Sequence, residues 1–203
     1  MTISKGAAWG EAVDRPGTLR LAADDRELAA MLSDGTQVPT AVRAGDMFRT
    51  LGARAIGDRT ELLAFPVDLV EVRLDDAAPV MSVSHVLARS PWWRGGWWRG
   101  QALAVMNAEF VGEFDVAPRG HPNDGRVETF LAAPDMNARQ RLEVRNRLPS
   151  ARHLPHPQIA TRPVRAAEWA FETALEVTVD GVRIGRGHRL RVAVIADAAV
   201  LYA

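Results

Sequence analysis

The sequence predicts an α+β protein, with a small βα fragment over residues 18–58 and an antiparallel β-sandwich over residues 59–203. Three observations carry this. Residues 24–32 place Leu28, Met31 and Leu32 on one face of a capped helix that lies between two short strand-like runs. From Thr60 the apolar period changes to two, the spacing of half-buried strands. Asp180-Gly181, set between two apolar runs, is the strongest hairpin signal in the chain.

Residues 1–17 read as an N-terminal tail with no clear period, ending in a Pro16-Gly17 loop. Residues 19–22 form a short strand. Asp24 caps the helix that follows, with Glu27 three residues on, and Ser33-Asp34-Gly35 closes it. Residues 38–42 give a second strand. Asp46 caps a short helix over 47–51, which Gly52 stops.

Residues 61–65, 67–74 and 80–88 are strands rich in Val, Leu and Phe, and a slip between Leu69 and Val72 reads as a bulge. Residues 101–110 and 127–132 continue the sheet. Residues 137–148 form a helix with arginines on its outer face, ended by Pro149. Six runs complete the strand-rich tail, at 159–164, 169–171, 175–179, 183–184, 190–195 and 200–202.

Twenty-five basic residues balance twenty-five acidic ones, which argues against nucleic acid as a partner. The chain has no cysteine, so disulfides and cysteine-based metal sites are excluded. No run reaches the roughly 18–20 apolar residues of a membrane span, and the N-terminus lacks a signal-peptide core. The expectation is a cytoplasmic protein without a transmembrane segment.

Position-sensitive residues are densest over 107–128, Asn-Ala-Glu-Phe-Val-Gly-Glu-Phe-Asp-Val-Ala-Pro-Arg-Gly-His-Pro-Asn-Asp-Gly-Arg-Val-Glu. Gly112 permits a conformation or close approach that a side chain would block. Pro118 and Pro122 stiffen the path, and Asn123-Asp124-Gly125 has the chemistry of a tight turn.

This stretch resembles the C-terminal half of diacylglycerol-kinase and sphingosine-kinase-like lipid kinases, relatives of NAD kinase. Their pattern runs Asn-Ala-Arg-aromatic, a glycine cluster, Ala-Pro, then seven residues ending in Asp-Gly. Here the matching residues are Asn107-Ala108, Phe110, Gly112, Ala117-Pro118 and Asp124-Gly125. A second stretch adds to the likeness. Where the family has Gly-Thr-Gly-Asn-Asp and a helix ending Arg-Thr-Leu-Gly, this chain has Arg43-Ala44-Gly45-Asp46 and Arg49-Thr50-Leu51-Gly52. The resemblance implies a C-terminal β-sandwich, and it marks Gly45, Asp46, Asn107 and Gly112 as remnants of a ligand or nucleotide site.

The resemblance also implies what is missing. The family's phosphate cradle is Gly-Gly-Asp-Gly-Thr, leading from a strand into a helix N-terminus. The nearest match, Ser33-Asp34-Gly35-Thr36, follows a helix and reads as its closing turn. The family's late hairpin is Val-Asp-Gly-Glu, whose glutamate is a candidate general base. This chain has Val182 at that position, so no catalytic residue is assigned. Asp124, with Asn123, is where relatives hold a divalent cation, so Mg²⁺ is a candidate there. The loss of one family carboxylate at Asn123 favours a metal-free turn.

Four tryptophans with interleaved arginines, Trp92, Trp93, Trp97 and Trp98, form the tip of a hairpin. They suit a protein interface, a membrane surface, a ligand clamp or internal packing. His153 and His156 are separated by Pro155, without an evident third zinc ligand. Arg139, Arg141, Arg145, Arg147 and Arg152 make a basic helix, either a solvated face or an anionic-lipid or phosphate contact.

Together these features predict a non-catalytic descendant of the lipid kinases that needs no cofactor and binds a lipid-like ligand or a protein partner, including a homodimer. One alternative is a lipid kinase whose nucleotide site is completed by another chain, which alone would use ATP. Another is a scaffolding module built on the tryptophan ribbon.

Overall fold

The structure, a computed structural model, describes residues 9–33 and 38–203. β1 (Glu11–Asp14) pairs antiparallel with the start of β4 (Glu61–Leu74). The sequence reads this segment as tail, because four largely exposed residues are too few to show a period.

Between them lie β2 (Arg20–Ala22), α1 (Asp25–Ser33), β3 (Thr40–Val42) and α2 (Asp46–Thr50). α1 starts as its sequence predicts: the Glu27 N–H donates to Asp24 Oδ1 at 2.9 Å, and the Glu27 carboxylate accepts from the Ala23 N–H at 2.7 Å. β2 and β3 run parallel, and β3 continues parallel onto the last strand, so this βα unit and the rest of the chain share one sheet.

α2 begins differently from its expected form. Gly45 is the N-cap with no side-chain cap of its own, and Asp46 is already helical. The missing acceptor comes from Asp25 of α1. Gly52, at φ 94°, ends α2 by donating to the Arg49 carbonyl.

The remaining elements are β5 (Val80–Ser82), β6 (His85–Arg89), β7 (Ala102–Met106), β8 (Phe110–Val111), β9 (Phe114–Asp115), β10 (Val127–Ala132), α3 (Ala138–Arg147), β11 (Ile159–Val164), β12 (Ala166–Val179) and β13 (Val182–Tyr202). β8 and β9 form a separate small hairpin. The large sheet runs β1-β4-β13-β12-β6-β7-β10-β11. Val70 and Val72 of β4 share one core with Leu103 and Val105 of β7, which lies four places along that order. The sheet thus folds over its own core as an antiparallel β-sandwich.

Three expectations are corrected. The slip near Leu69 is not a bulge in β4, whose residues 67–70 are buried on both faces. The irregularity lies opposite, in β13 between Ile195 and Ala199. The short tail strands merge into two long ones, with the register shifts carried inside them. The run 101–110 ends its strand at Met106, because the Asn107 and Ala108 N–H groups both turn to the Ser84 carbonyl. A second core packs Leu28 and Met47 of the helices against Phe65, Val67 and Leu201 of the sheet.

Candidate functional site

Two short helices and one hairpin turn converge on a polar cluster. The Asp25 carboxylate, 5% exposed, accepts from the Asp46 N–H at 2.7 Å and from the Met47 N–H at 3.2 Å. It therefore occupies the free donors at the start of α2. Gly45 makes room for it: at φ 108°, a Cβ there would lie 2.4 Å from Asp25 Oδ1. Asp46 in turn accepts from the Gly112 N–H at 2.8 Å and reaches His85 Nδ1 at 3.4 Å. Gly45, Asp46 and Gly112 thus belong to one locus.

Asp180 supplies its other side. Asp180 and Gly181 form the expected tight turn, with φ values of 47° and 78°. The aspartate is more than a turn residue, however. Its carboxylate accepts from Ser82 Oγ, the Val83, Ser84 and His85 N–H groups and Ser84 Oγ, all within 3.0 Å. Val182, in the next position of the hairpin, pairs with Val179, and its side chain carries no polar atom.

Burial pushes the Asp25 carboxyl up to about 6, against the opposing pull of the Asp46 N–H, the Ser84 hydroxyl and the Met47 N–H. Burial also lowers the His85 pKa, although Asp180 and Asp46 favour its proton. A raised carboxyl pKa favours the fold most when the group is protonated, and that contribution is lost as pH rises through about 6. Asp25→Asn keeps an oxygen acceptor without the charge. It is expected to melt above the parent at pH 8, by up to about 3 kcal/mol of stability, and to converge with it near pH 4. Thermal unfolding at the two pH values checks this.

Asn107, Asn123 and Asp124 belong to a second locus, organised by Asp68. Asp68 is fully buried, and its carboxylate accepts from the Gly125 N–H at 2.7 Å and the Asp197 N–H at 2.8 Å. Burial raises its pKa, while those two N–H groups lower it. Asn107 Nδ2 donates to the Asp68 and Val83 carbonyls. Asp124 Oδ1 accepts from the Arg126 N–H, and Asn123 Nδ2 donates to Asp197, while Asn123 Oδ1 is buried without a partner. One carboxylate already holding a turn, with one amide oxygen, is a thin donor set for Mg²⁺, which favours near-octahedral oxygen coordination. Among the described residues, no group of three or more His, Asp or Glu is placed to hold a metal.

The third feature is an apolar cavity of about 550 Å³ on the face of β6, β7 and β10 turned away from the core. Its volume lies within the roughly 300–1,000 Å³ of small-molecule sites. The strand register explains it. Leu87 pairs with Ala104, Ala104 with Phe130, and Ala102 with Ala132, so three alanines floor the space while Leu103 and Val105 point into the core. α3 forms a wall with Val144, extended by Leu148 just past its end, and Trp97 and Trp98 contribute at the rim. The ribbon connects β6 to β7, as the hairpin reading expects, in two 3₁₀ turns.

One arginine assigned to the outer face of α3 is buried. Arg141 donates to the Met136, Trp97, Gly100 and Ala133 carbonyls, bracing the ribbon against the helix. His153 also lines the cavity, and both its ring nitrogens are buried without a hydrogen bond. Burial lowers its pKa, against the Val116 backbone and the Asp115 carboxylate. His156 is separate from it, with Nδ1 accepting from the Gln158 N–H.

The sequence reading places the cradle match at 33–36, and residues 34–36 lie outside the described residues. The strand-to-helix context that such a cradle needs occurs instead where β2 enters α1, at Ala22-Ala23-Asp24-Asp25-Arg26. The signal was the capping aspartate after a strand; without glycines it read as an ordinary helix start. Asp68 and the alanine floor carry no motif and emerge from register and burial.

No protein-family profile and no curated protein matches this chain. Solved structures do. A protein described as a diacylglycerol kinase from Bacillus anthracis str. Sterne aligns with TM-score 0.65 at 12% identity, covering 90% of this chain and 77% of that one. Another structure of a diacylglycerol kinase from the same strain gives TM-score 0.62 at 11% identity, covering 90% and 74%. Yeast NADH kinase aligns more distantly, with TM-score 0.49 at 11% identity over 91% of this chain and 60% of that one. The chain therefore has the fold of the diacylglycerol-kinase-like structures, a likeness of fold held at 11–12% sequence identity.

Proposed function

We propose that this protein holds an apolar, lipid-like ligand in the cavity beside α3 and transfers no phosphate to it. The observation that carries the reading is the open, alanine-floored cavity, whose polar features include the buried ring of His153. A lipid kinase also needs free N–H groups for phosphates. Here Asp24 accepts at the start of α1 and Asp25 at the start of α2, so an incoming phosphate would meet carboxylates and donors already engaged. Val182 offers no base.

In this reading residues 18–58 are the reduced counterpart of a nucleotide-binding half, and residues 59–203 are the ligand-binding sandwich. Neither ATP nor Mg²⁺ has a role. No helix among the described residues is long and apolar enough to cross a membrane.

The test is titration with a fluorescent long-chain alcohol below its micellar concentration. Saturable one-to-one binding is expected, weakened at least ~10-fold by Ala104→Trp, which fills the floor. Millimolar ATP with Mg²⁺ is expected to leave the melting temperature unchanged. A nucleotide that bound the native state would raise it by mass action, and such a rise would favour the kinase reading.

A further inference from the structure

The tryptophan ribbon is the most exposed aromatic surface of the described chain. Trp92 is 75% exposed, Trp93 53%, Trp97 43% and Trp98 38%. Trp92 and Trp93 meet edge to face at 5.9 Å, so the two outermost rings project as one unit. Arg141 ties the ribbon to α3 through the Trp97 and Gly100 carbonyls, and Leu142 adds an exposed aliphatic group on that helix.

Charge is segregated on this face. Residues 92–99 and 138–152 carry six exposed arginines, besides the buried Arg141, against one glutamate, in a chain whose net charge is zero. That glutamate, Glu143, pairs with Arg139 at 3.5 Å. Arg94, Arg99, Arg145, Arg147 and Arg152 are exposed. Arg186 lies over the Trp93 ring at 5.5 Å, adding a cation at the ribbon's edge.

We propose that the ribbon and α3 dock on an anionic bilayer surface, with the tryptophans at the headgroup boundary and the arginines over acidic headgroups. Tryptophan is suited to that boundary because its ring is apolar and its N–H is polar. Basic side chains close to an anionic leaflet gain from its negative surface potential. A second copy fits poorly. A two-fold contact through this face would oppose one set of arginines to another. A bilayer has no such conflict, and it would set the mouth of the cavity, at Trp97, Trp98 and Arg145, beside the source of a lipid.

The inference stands apart from the cavity reading, because Trp92 and Trp93 do not line the cavity. The experiment is co-sedimentation of the full chain with vesicles of phosphatidylcholine containing about one third phosphatidylglycerol. Tryptophan emission is followed in parallel, since the ribbon holds four of the six tryptophans.

Binding is expected with a blue shift. It should weaken at least ~10-fold on vesicles of phosphatidylcholine alone and severalfold between about 0.1 and 0.5 M salt. Trp92→Ser with Trp93→Ser should weaken it at least ~10-fold while leaving the melting temperature and fluorescent-alcohol binding unchanged. Three results would overturn the proposal: no partition onto anionic vesicles by the folded protein, partition indifferent to the double variant, or a concentration-dependent dimer that the double variant dissolves. Tighter binding to a single-stranded oligonucleotide than to vesicles would overturn it as well. Loss of vesicle binding with alcohol binding intact leaves the cavity reading standing, and the converse leaves the docking surface standing.

Discussion

Replacing Asp180 with alanine is expected to destabilise the protein by about 3–5 kcal/mol, lowering its melting temperature by roughly 10 °C or more. The carboxylate is 8% exposed and accepts from three backbone N–H groups and two serine hydroxyls of the segment 82–85. Alanine deletes the acceptor and leaves those donors buried, since Ser82 and Ser84 are fully buried. Unmatched buried donors cost more than the hydrogen bonds themselves contribute. Asp180→Asn keeps one oxygen and is expected to lose about half as much. Thermal and urea unfolding at pH 7 decide the matter. If alanine costs under 1 kcal/mol, the carboxylate is not the anchor of that segment.

Asp68→Ala is expected to cost about 3 kcal/mol for a similar reason at a different place. Gly125 and Asp197 donate to Asp68 from positions 57 and 129 residues away in sequence, so one side chain ties a distant turn and the bulge of β13 onto β4. The distinctive readout is amide hydrogen exchange. Protection at Gly125 and Asp197 should fall in the variant, while the amides of α3 keep theirs. Equal loss everywhere would mean that Asp68 supports the whole fold rather than that turn and that bulge.

The parts of the fold that were legible in sequence had local causes. Asp24 with Glu27 and the Asp180-Gly181 turn each satisfy their hydrogen bonds within a few residues, so their geometry is encoded where they stand. The family-like stretch was legible as well, and it led to the fold. The rest was set by partners far along the chain. Asp46 looked like a helix cap, but Asp25, 21 residues earlier, does that work. Leu69 seemed to sit beside a bulge, whereas the extra residues belong to β13 opposite. Arg141 looked like one of five surface arginines, and carbonyls of the ribbon and the helix approach bury it. The cavity had no sequence signature, because alanine in a strand records no reason for its size until its neighbours across the sheet are known.

The length of β13 has a consequence for how the molecule assembles. Its 21 residues pair with β12 over residues 182–193, with β4 over residues 190–202 and with β3 at the far end. Tyr202 meets Ala64 and Leu201 meets Thr40, partners well over a hundred positions earlier. Until residues 182–202 arrive, one edge of β4 lacks its antiparallel partner and β3 has only β2 beside it. The sheet closes late, by pairing that bridges long stretches of chain, which makes folding slow and leaves its intermediates with open, sticky edges.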